Sequence, residues 1–411
     1  EGKPVKGILG TDLPPNKNQS VKKIEDVNSL DYNLLIIPGG VKAMEKVRQN
    51  LNIIDFINKF HSENKVIGCI CSGTQLLISA KIVKGKSISG YYSMKDDIIN
   101  AGANYVDQPA VIDSKNKTVV STDMLVENIH FNLMYVPLKH LGYKSVIVNL
   151  SDIFAMNAKP EQITVSLSVS NRFTLEAVDE LYSGIKLACE KYKVDLIGGD
   201  TTSSEKGLII SVTAIGTCEK DRLVYRTGAK KNDLVAVTGN LGAAYMGLQI
   251  LEREKEVFKV NPQSQPNLDK YTYCIQRQLK PEARHDVIKF FKENKITPTS
   301  MIDISDGLSS EILHISEKCK VGIHIYEDKI PIDNETIKIC NEFKLNEITA
   351  ALNGGEDYEI LFTIDQSDYE LVKKSEIVSI IGHVTKIEDG NKLITSLDQA
   401  IDLTAQGWSK I

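Results

Sequence analysis

No stretch of this chain reaches the roughly 18 consecutive apolar residues that a membrane-crossing helix requires. The 411 residues also lack a GxxxxGK[ST] phosphate loop and the motif set of protein kinases, so any nucleotide must be held in another way. Cysteines in useful pairs are missing too. The seven present (Cys69, Cys71, Cys189, Cys218, Cys274, Cys319, Cys340) are odd in number, and Cys69 and Cys71 sit too close for a CxxC redox or zinc pair. Such scattered thiols fit a reducing cytoplasm. Neither charge sign dominates. The balance of 49 basic against 54 acidic residues leaves −5, which argues against a nucleic-acid footprint over the whole chain but allows a local basic pocket. The opening Glu1-Gly2-Lys3-Pro4 carries no Met and no charged-then-apolar leader, so no signal peptide is visible and an incomplete reading frame is expected. No low-complexity tract or short-period repeat is present.

What is there reads as globular. Hydrophobic residues make up 42% and charged residues 25%, and the length exceeds one ordinary core, so two or three domains are expected. Two styles meet near residue 110. Before it, Leu34–Ile37 runs into Pro38-Gly39-Gly40, and Val66–Cys71 runs into Ser72-Gly73 and the amphipathic Thr74–Ala80. Strand, tight turn and helix in repetition predict an α/β layer with a parallel sheet. From Thr118 onward, apolar runs end in small residues plus an acid. Thr118-Val119-Val120, Ser145–Leu150 and Asp195-Leu196-Ile197 all read as strands of this kind. Leu175–Tyr192 reads as a helix, Leu208–Gly216 and Asp233–Thr238 as strands, and Ala243–Leu251 as a helix. The polar Glu219–Asn232 reads as a domain connection, and Arg253–Asp269, with Pro262 and Pro266, as an exposed excursion.

Five acids sit at or just past these expected strand ends: Asp123, Asp152, Asp200, Asp303 and Asp306. Strand carboxyl ends are where ligands collect in open α/β sheets. Acids gathered there repel one another unless hard cations share the site, and magnesium commonly binds through one or two carboxylates plus substrate phosphates. The alternative is that each acid only ends a strand as a turn residue. Gly239-Asn240-Leu241-Gly242 before a helix allows a phosphate cradle or a plain turn.

The wording of five segments is more specific. Ser121–Phe131 (STDMLVENIHF), Asn149–Ala158 (NLSDIFAMNA), Gly198-Gly199-Asp200-Thr201-Thr202, Met301–Leu308 (MIDISDGL) and Gly354–Glu359 (GGEDYE) closely resemble thiamine-monophosphate kinase, in that family's order, from about residue 110 to Trp408. The family lies in the aminoimidazole ribonucleotide synthetase superfamily. The resemblance implies an ATP-binding half that dimerises through a β-barrel (114–228) and a second α/β half (229–411). It implies magnesium ligands at Ser121, Thr122, Asp123, Asp152, Asp200, Asp303 and Asp306. Nucleotide contacts fall at Tyr182, Gly199, Arg226 and Ser305, and substrate contacts at His130, Glu356 and Trp408. ATP and a phosphate monoester would bring about six negative charges together, the monoester being already ionised near pH 7. The transfer then needs positioning and charge neutralisation and no general base, so no catalytic residue is assigned. The small-molecule partners implied are ATP and thiamine monophosphate, with a homodimer, no nucleic acid and no membrane. Taken alone, Arg226 would equally be a surface arginine, Trp408 a packing residue and His130 a core or surface histidine.

Residues 1 to about 113 resemble the PfpI-type cysteine peptidase and class I glutamine amidotransferase-like group. The resemblance is carried by Ile37-Pro38-Gly39-Gly40, Cys69-Ile70-Cys71-Ser72-Gly73 and Lys95–Asp107. It implies a truncated flavodoxin-like parallel α/β domain with Cys71 at a nucleophile elbow, either reactive or buried and inert. Ser72 stands where many members have histidine, and the upstream acid is missing. Where the kinase family carries a magnesium-binding Asp shortly before Ser121-Thr122-Asp123, this chain has Gln108. The two resemblances meet inside Asp107–Asp113, so recombination or a misassembled frame is expected ahead of an evolved fusion. Three other readings stand beside the kinase: a selenophosphate or aminoimidazole ribonucleotide synthetase, an impaired dimerisation scaffold, and a Cys71-dependent hydrolase, glyoxalase or redox protein.

Overall fold

The computed structural model describes residues 5–6, 12–13, 23–37, 41–69, 71–88, 94–105, 110–112, 117–263 and 265–405. The chain divides into two compact units, Glu1–Ser114 and Lys115–Ile411.

In the first unit Leu34–Ile37 lies parallel to Val66–Cys69, with Leu34 opposite Val66 and Ile37 opposite Cys69. Parallel neighbours need a crossover, and the helices Val41–Val47 and Leu51–Ser62 supply it. Ile54, Ile57 and Phe60 recur at helical spacing on the buried face of the second helix, and Ile54 and Ile57 pack with Leu76, Leu77 and Ile98 in one core. This is the α/β layer that the alternation of short apolar runs and helical patterns predicts.

The second unit holds two sheets. The first has the spatial order Asp195–Ser203, Lys159–Val169, Leu208–Cys218, Lys117–Val126, with only the first pair parallel. Its inner face is covered by the helix Leu138–Phe154. From Leu141 to Ser151 every residue of that helix is buried. Gly142 and Gly184 let the neighbouring helix Leu175–Tyr192 approach closely. A Cβ on Gly142 would stand 2.0 Å from the Leu181 carbonyl oxygen, and one on Gly184 would stand 1.8 Å from that of Lys139. The second sheet runs Ser300–Asp303, Ile360–Ile364, Leu234–Thr238, Val378–Thr385, Gly322–Tyr326, Asn391–Ile394, Ala400–Asp402. Leu308–Cys319 packs on it through Leu308, Ile312 and Ile315.

Three sequence expectations are corrected. Ser145–Leu150 is not a strand: it lies inside the helix Leu138–Phe154. A helix buried on every side has no polar stripe, so a short apolar run cut from it looks like a buried strand. Arg253–Asp269 is not wholly an excursion, because the helix Ala243–Val260 continues through its first residues. The acids do not share strand ends. Asp123 and Asp200 lie within strands, Asp152 lies in a helix, and Asp303 alone closes its strand, with Asp306 three residues beyond.

Candidate active site

Strand alternation sets the first part of the site. Along Lys117–Val126, side chains at 119, 121, 123 and 125 share one face, and Val119, Ser121 and Leu125 are buried there. That face meets the helix Leu138–Phe154, which brings in Asn149, Ser151 and Asp152. Ser121 Oγ donates to Asp152 Oδ2. Asn149 Oδ1 accepts the Asp123 N–H at 2.8 Å. One residue before Asp152, Ser151 Oγ donates to Asp303 Oδ2 at 2.8 Å, which ties the last strand residue of the second sheet to the same place. The helix thus joins three carboxylates drawn from positions 123, 152 and 303.

Electrostatics mark this group as unusual. Burial holds Asp123 well above the usual carboxylate range, and the neighbouring Asp152 and Asp303 push it further. Asp152 is raised, chiefly by burial. Burial lifts Asp303 to about 7, with the Asp152 charge adding to it. Asp306 is raised by burial as well. The Arg226 guanidinium opposes the shift at all four acids. Arg226 is therefore a charge partner of the cluster, which its sequence context alone left open. Glu311, which sequence reasoning missed, joins from the helix Leu308–Cys319. It accepts the Asp306 N–H at 3.1 Å, and burial lifts its carboxyl to about 8, with Asp303 adding to the shift.

Other expected site residues fall elsewhere. Thr122 points to the opposite strand face, where its hydroxyl donates to the Val212 carbonyl at 3.0 Å. Asp200 and Gly199 lie on the edge strand Asp195–Ser203, all of whose residues are exposed. A Cβ at Gly199 would stand 1.8 Å from the Val165 carbonyl oxygen, so strand packing already requires glycine there. Tyr182 is half-buried and hydrogen-bonds Thr201 beside Asp200. Ser305 accepts the Glu356 N–H at 2.7 Å through its carbonyl. His130 accepts the Val126 N–H on Nδ1 at 3.1 Å, and burial lowers it below the ordinary imidazole value. Glu356 is held by Lys144 and Gln278, two more residues that sequence reasoning missed. Gln108, Trp408 and the Cys71 side chain lie outside the described residues. The Gly239–Gly242 segment resolves as a turn. The Asp357 carboxylate takes the Gly242 N–H at 2.8 Å and so occupies the start of the following helix.

Comparison with known proteins decides the family. The chain is 36% identical to the thiamine-monophosphate kinase of Bacillus subtilis (strain 168) over 289 residues, which cover 68% of this chain and 84% of that protein. The corresponding enzyme of Aquifex aeolicus (strain VF5) is 36% identical over 275 residues, 65% of this chain and 85% of that protein. This chain belongs to the thiamine-monophosphate kinase family. Among solved structures, AaThiL complexed with AMPPCP and TMP superposes with a TM-score of 0.65 at 32% identity, over 74% of this chain and 90% of that one. The family model for AIR synthase related protein, N-terminal domain, matches residues 106–218. The DJ-1/PfpI family model matches residues 1–137. The two matches overlap over 106–137, a span that includes the Asp107–Asp113 junction of the two sequence styles. No helix among the described residues is long and apolar enough to cross a membrane.

Magnesium suits the donors gathered here. Among the described residues no group of three or more His, Cys, Asp and Glu side chains is arranged to hold a metal ion. The carboxylate and hydroxyl oxygens of Asp123, Asp152, Asp303 and Ser121 are the donor type that a hard cation takes when substrate phosphates complete its ligands.

Proposed function

We propose that this member of the thiamine-phosphate kinase family is a magnesium-dependent enzyme that converts ATP and thiamine monophosphate into ADP and thiamine diphosphate. The observation that carries this reading is the convergence of Asp123, Asp152 and Asp303, linked through Ser121 and Ser151, beneath the positive charge of Arg226. Asp303 is buried and Asp123 and Asp152 are half-buried beside it, and acids held so close are unfavourable without a partner of opposite charge. Magnesium held by these residues would supply that partner and neutralise the phosphates of both substrates.

Asp123, Asp152, Asp303, Asp306 and Ser121 hold the ions in this reading, and Arg226 adds a fixed charge for the nucleotide phosphates. A terminal oxygen of the acceptor monophosphate attacks the γ-phosphorus in line. A new P–O bond forms as the bond to the ADP oxygen breaks. The acceptor's second pKa lies near 6, so its oxygen carries no proton to remove at pH 7. Tyr182, Gly199 and Ser305 belong to the nucleotide side, and His130, Glu356 and Trp408 to the substrate side. The nucleotide and metal half is 114–228 and its companion is 229–411. A homodimer is supported by the edge strand Asp195–Ser203, all of whose residues are exposed, Leu196 and Ile197 among them. In a pair, Asp200 and Gly199 would be covered. Free thiols at all six described cysteines suit a reducing cytoplasm.

The full chain, incubated with magnesium, ATP and thiamine monophosphate, is expected to form thiamine diphosphate and ADP in equal amounts, and neither in excess EDTA. Chromatography of both products checks this. ADP formed without the diphosphate would overturn the acceptor, and turnover in EDTA would overturn the metal.

A further inference from the structure

Lys144 is the single charged residue within the fully buried stretch Leu141–Ser151 of the central helix, and it is 5% exposed. A buried ammonium is costly unless its donors are taken up. Its Nζ stands 3.0 Å from Glu356 Oε1 and 3.0 Å from the Gln278 carbonyl. Gln278 Nε2 donates to the other oxygen, Glu356 Oε2, at 2.7 Å. Both carboxylate oxygens of Glu356 are thereby fixed, one from each of two helices. Its backbone is also fixed, in a conformation few non-glycine residues adopt (φ +57°), with the N–H bonded to the Ser305 carbonyl at 2.7 Å. Yet its side chain keeps 29% exposure, so the clamp opens outward at Glu356 itself. The charges of Lys144 and Glu356 both act on His130, which places the three groups together.

We propose that Lys144 is a positioning residue for acceptor recognition, holding the Glu356 carboxylate in one orientation and cancelling its charge where a phosphate monoester must enter. This rests on the assignment of Glu356 to the substrate side. An unpaired carboxylate there would repel the incoming dianion and swing freely. Paired and clamped, it presents its remaining lone pairs in a fixed direction to donors on the acceptor. Lys144 and Asp152 are eight residues apart on one helix, about 12 Å along its axis. One rigid element therefore carries both the cluster end and the recognition end of the site.

The test is a set of variants assayed for KM and kcat with both substrates. Lys144→Met should raise KM for thiamine monophosphate about ten-fold or more, while kcat and KM for ATP move less than about three-fold. Lys144→Arg should restore most of the loss. Lys144→Met added to Glu356→Gln should cost nothing beyond Glu356→Gln alone, because Lys144 acts through that carboxylate. Should Lys144→Met fold poorly, Gln278→Leu removes the hold on the other oxygen and is expected to give the same KM pattern. An unchanged KM in Lys144→Met, or additive losses in the double variant, overturns the proposal while Glu356 keeps its assignment. If Glu356→Gln itself leaves KM unchanged, the substrate-side reading of Glu356 falls, and this proposal with it.

Discussion

Replacing Asp303 by asparagine is expected to lower kcat about a thousand-fold while raising the melting temperature of the metal-free protein. The substitution keeps the shape and an oxygen to accept from Ser151, so the fold has little reason to change. It removes one of three converging acids and, in the proposed function, an oxygen that would hold magnesium. Loss of metal-mediated charge stabilisation is worth several kcal/mol of barrier, and about 4 kcal/mol corresponds to that rate change. The gain in stability has the same origin. Asp303 is 4% exposed and is crowded by Asp152, so in the absence of cations its charge opposes folding. Groups kept for chemistry are often costly to the fold. Steady-state ADP release and thermal melts in EDTA measure the two effects. Unchanged kcat would remove Asp303 from the reaction, and a lowered melting temperature would mean that its charge is satisfied within the protein.

A loss of about 3–5 kcal/mol in folding stability is expected for Glu359→Ala, three residues along the chain from Glu356. The Glu359 side chain is 2% exposed. Arg277 approaches one of its oxygens at 3.0 Å, Arg284 binds the other, and Thr238 Oγ1 donates to the latter at 2.6 Å. Deleting the carboxylate leaves Arg277 with no anion closer than Asp357 at 3.8 Å and Arg284 with Asp286 alone, which is the costly way to break a buried ion pair. Denaturant melts check the figure, with Glu356→Gln as the control expected to change stability far less. A small effect for Glu359→Ala would mean that Asp286, already paired with Arg284, and Asp357, 3.8 Å from Arg277, suffice to hold the two charges.

These two variants show how far the sequence could be read. Gly354–Glu359 is one motif in the chain, and from sequence only Glu356 was given a role. Folded, the same six residues divide their work. Glu356 keeps its side chain partly exposed, Asp357 caps the helix Ala243–Val260, and Glu359 anchors Arg277 and Arg284. Motif wording marks Asp123, Asp152 and Asp303; Asp303 closes its strand as expected, Asp123 lies within a longer strand, and Asp152 lies in a helix whose burial erases the periodicity. The face on which Thr122 lies follows from strand alternation once Asp123 is taken as the inward residue. Gln278 depends on a contact 78 residues along the chain, so no local pattern marks it, whereas Glu311 bonds Asp306 only five residues away. Lys144 did leave a trace: a lone lysine inside the apolar run Leu141–Leu150 is rarely tolerated without a buried partner. Gly142 and Gly184 are similar. Their need is set by the helix crossing, which composition does not encode.

The central claim is that cations occupy the space between Asp123, Asp152 and Asp303 and bridge them to phosphates of both substrates. Crystals grown with manganese, a non-hydrolysable ATP analogue and thiamine monophosphate test it through the anomalous signal of the metal. The account predicts peaks about 2.0–2.3 Å from carboxylate oxygens of at least two of these aspartates, each shared with a phosphate oxygen. Both ligands bound, with manganese elsewhere and the three carboxylates bare, would contradict it.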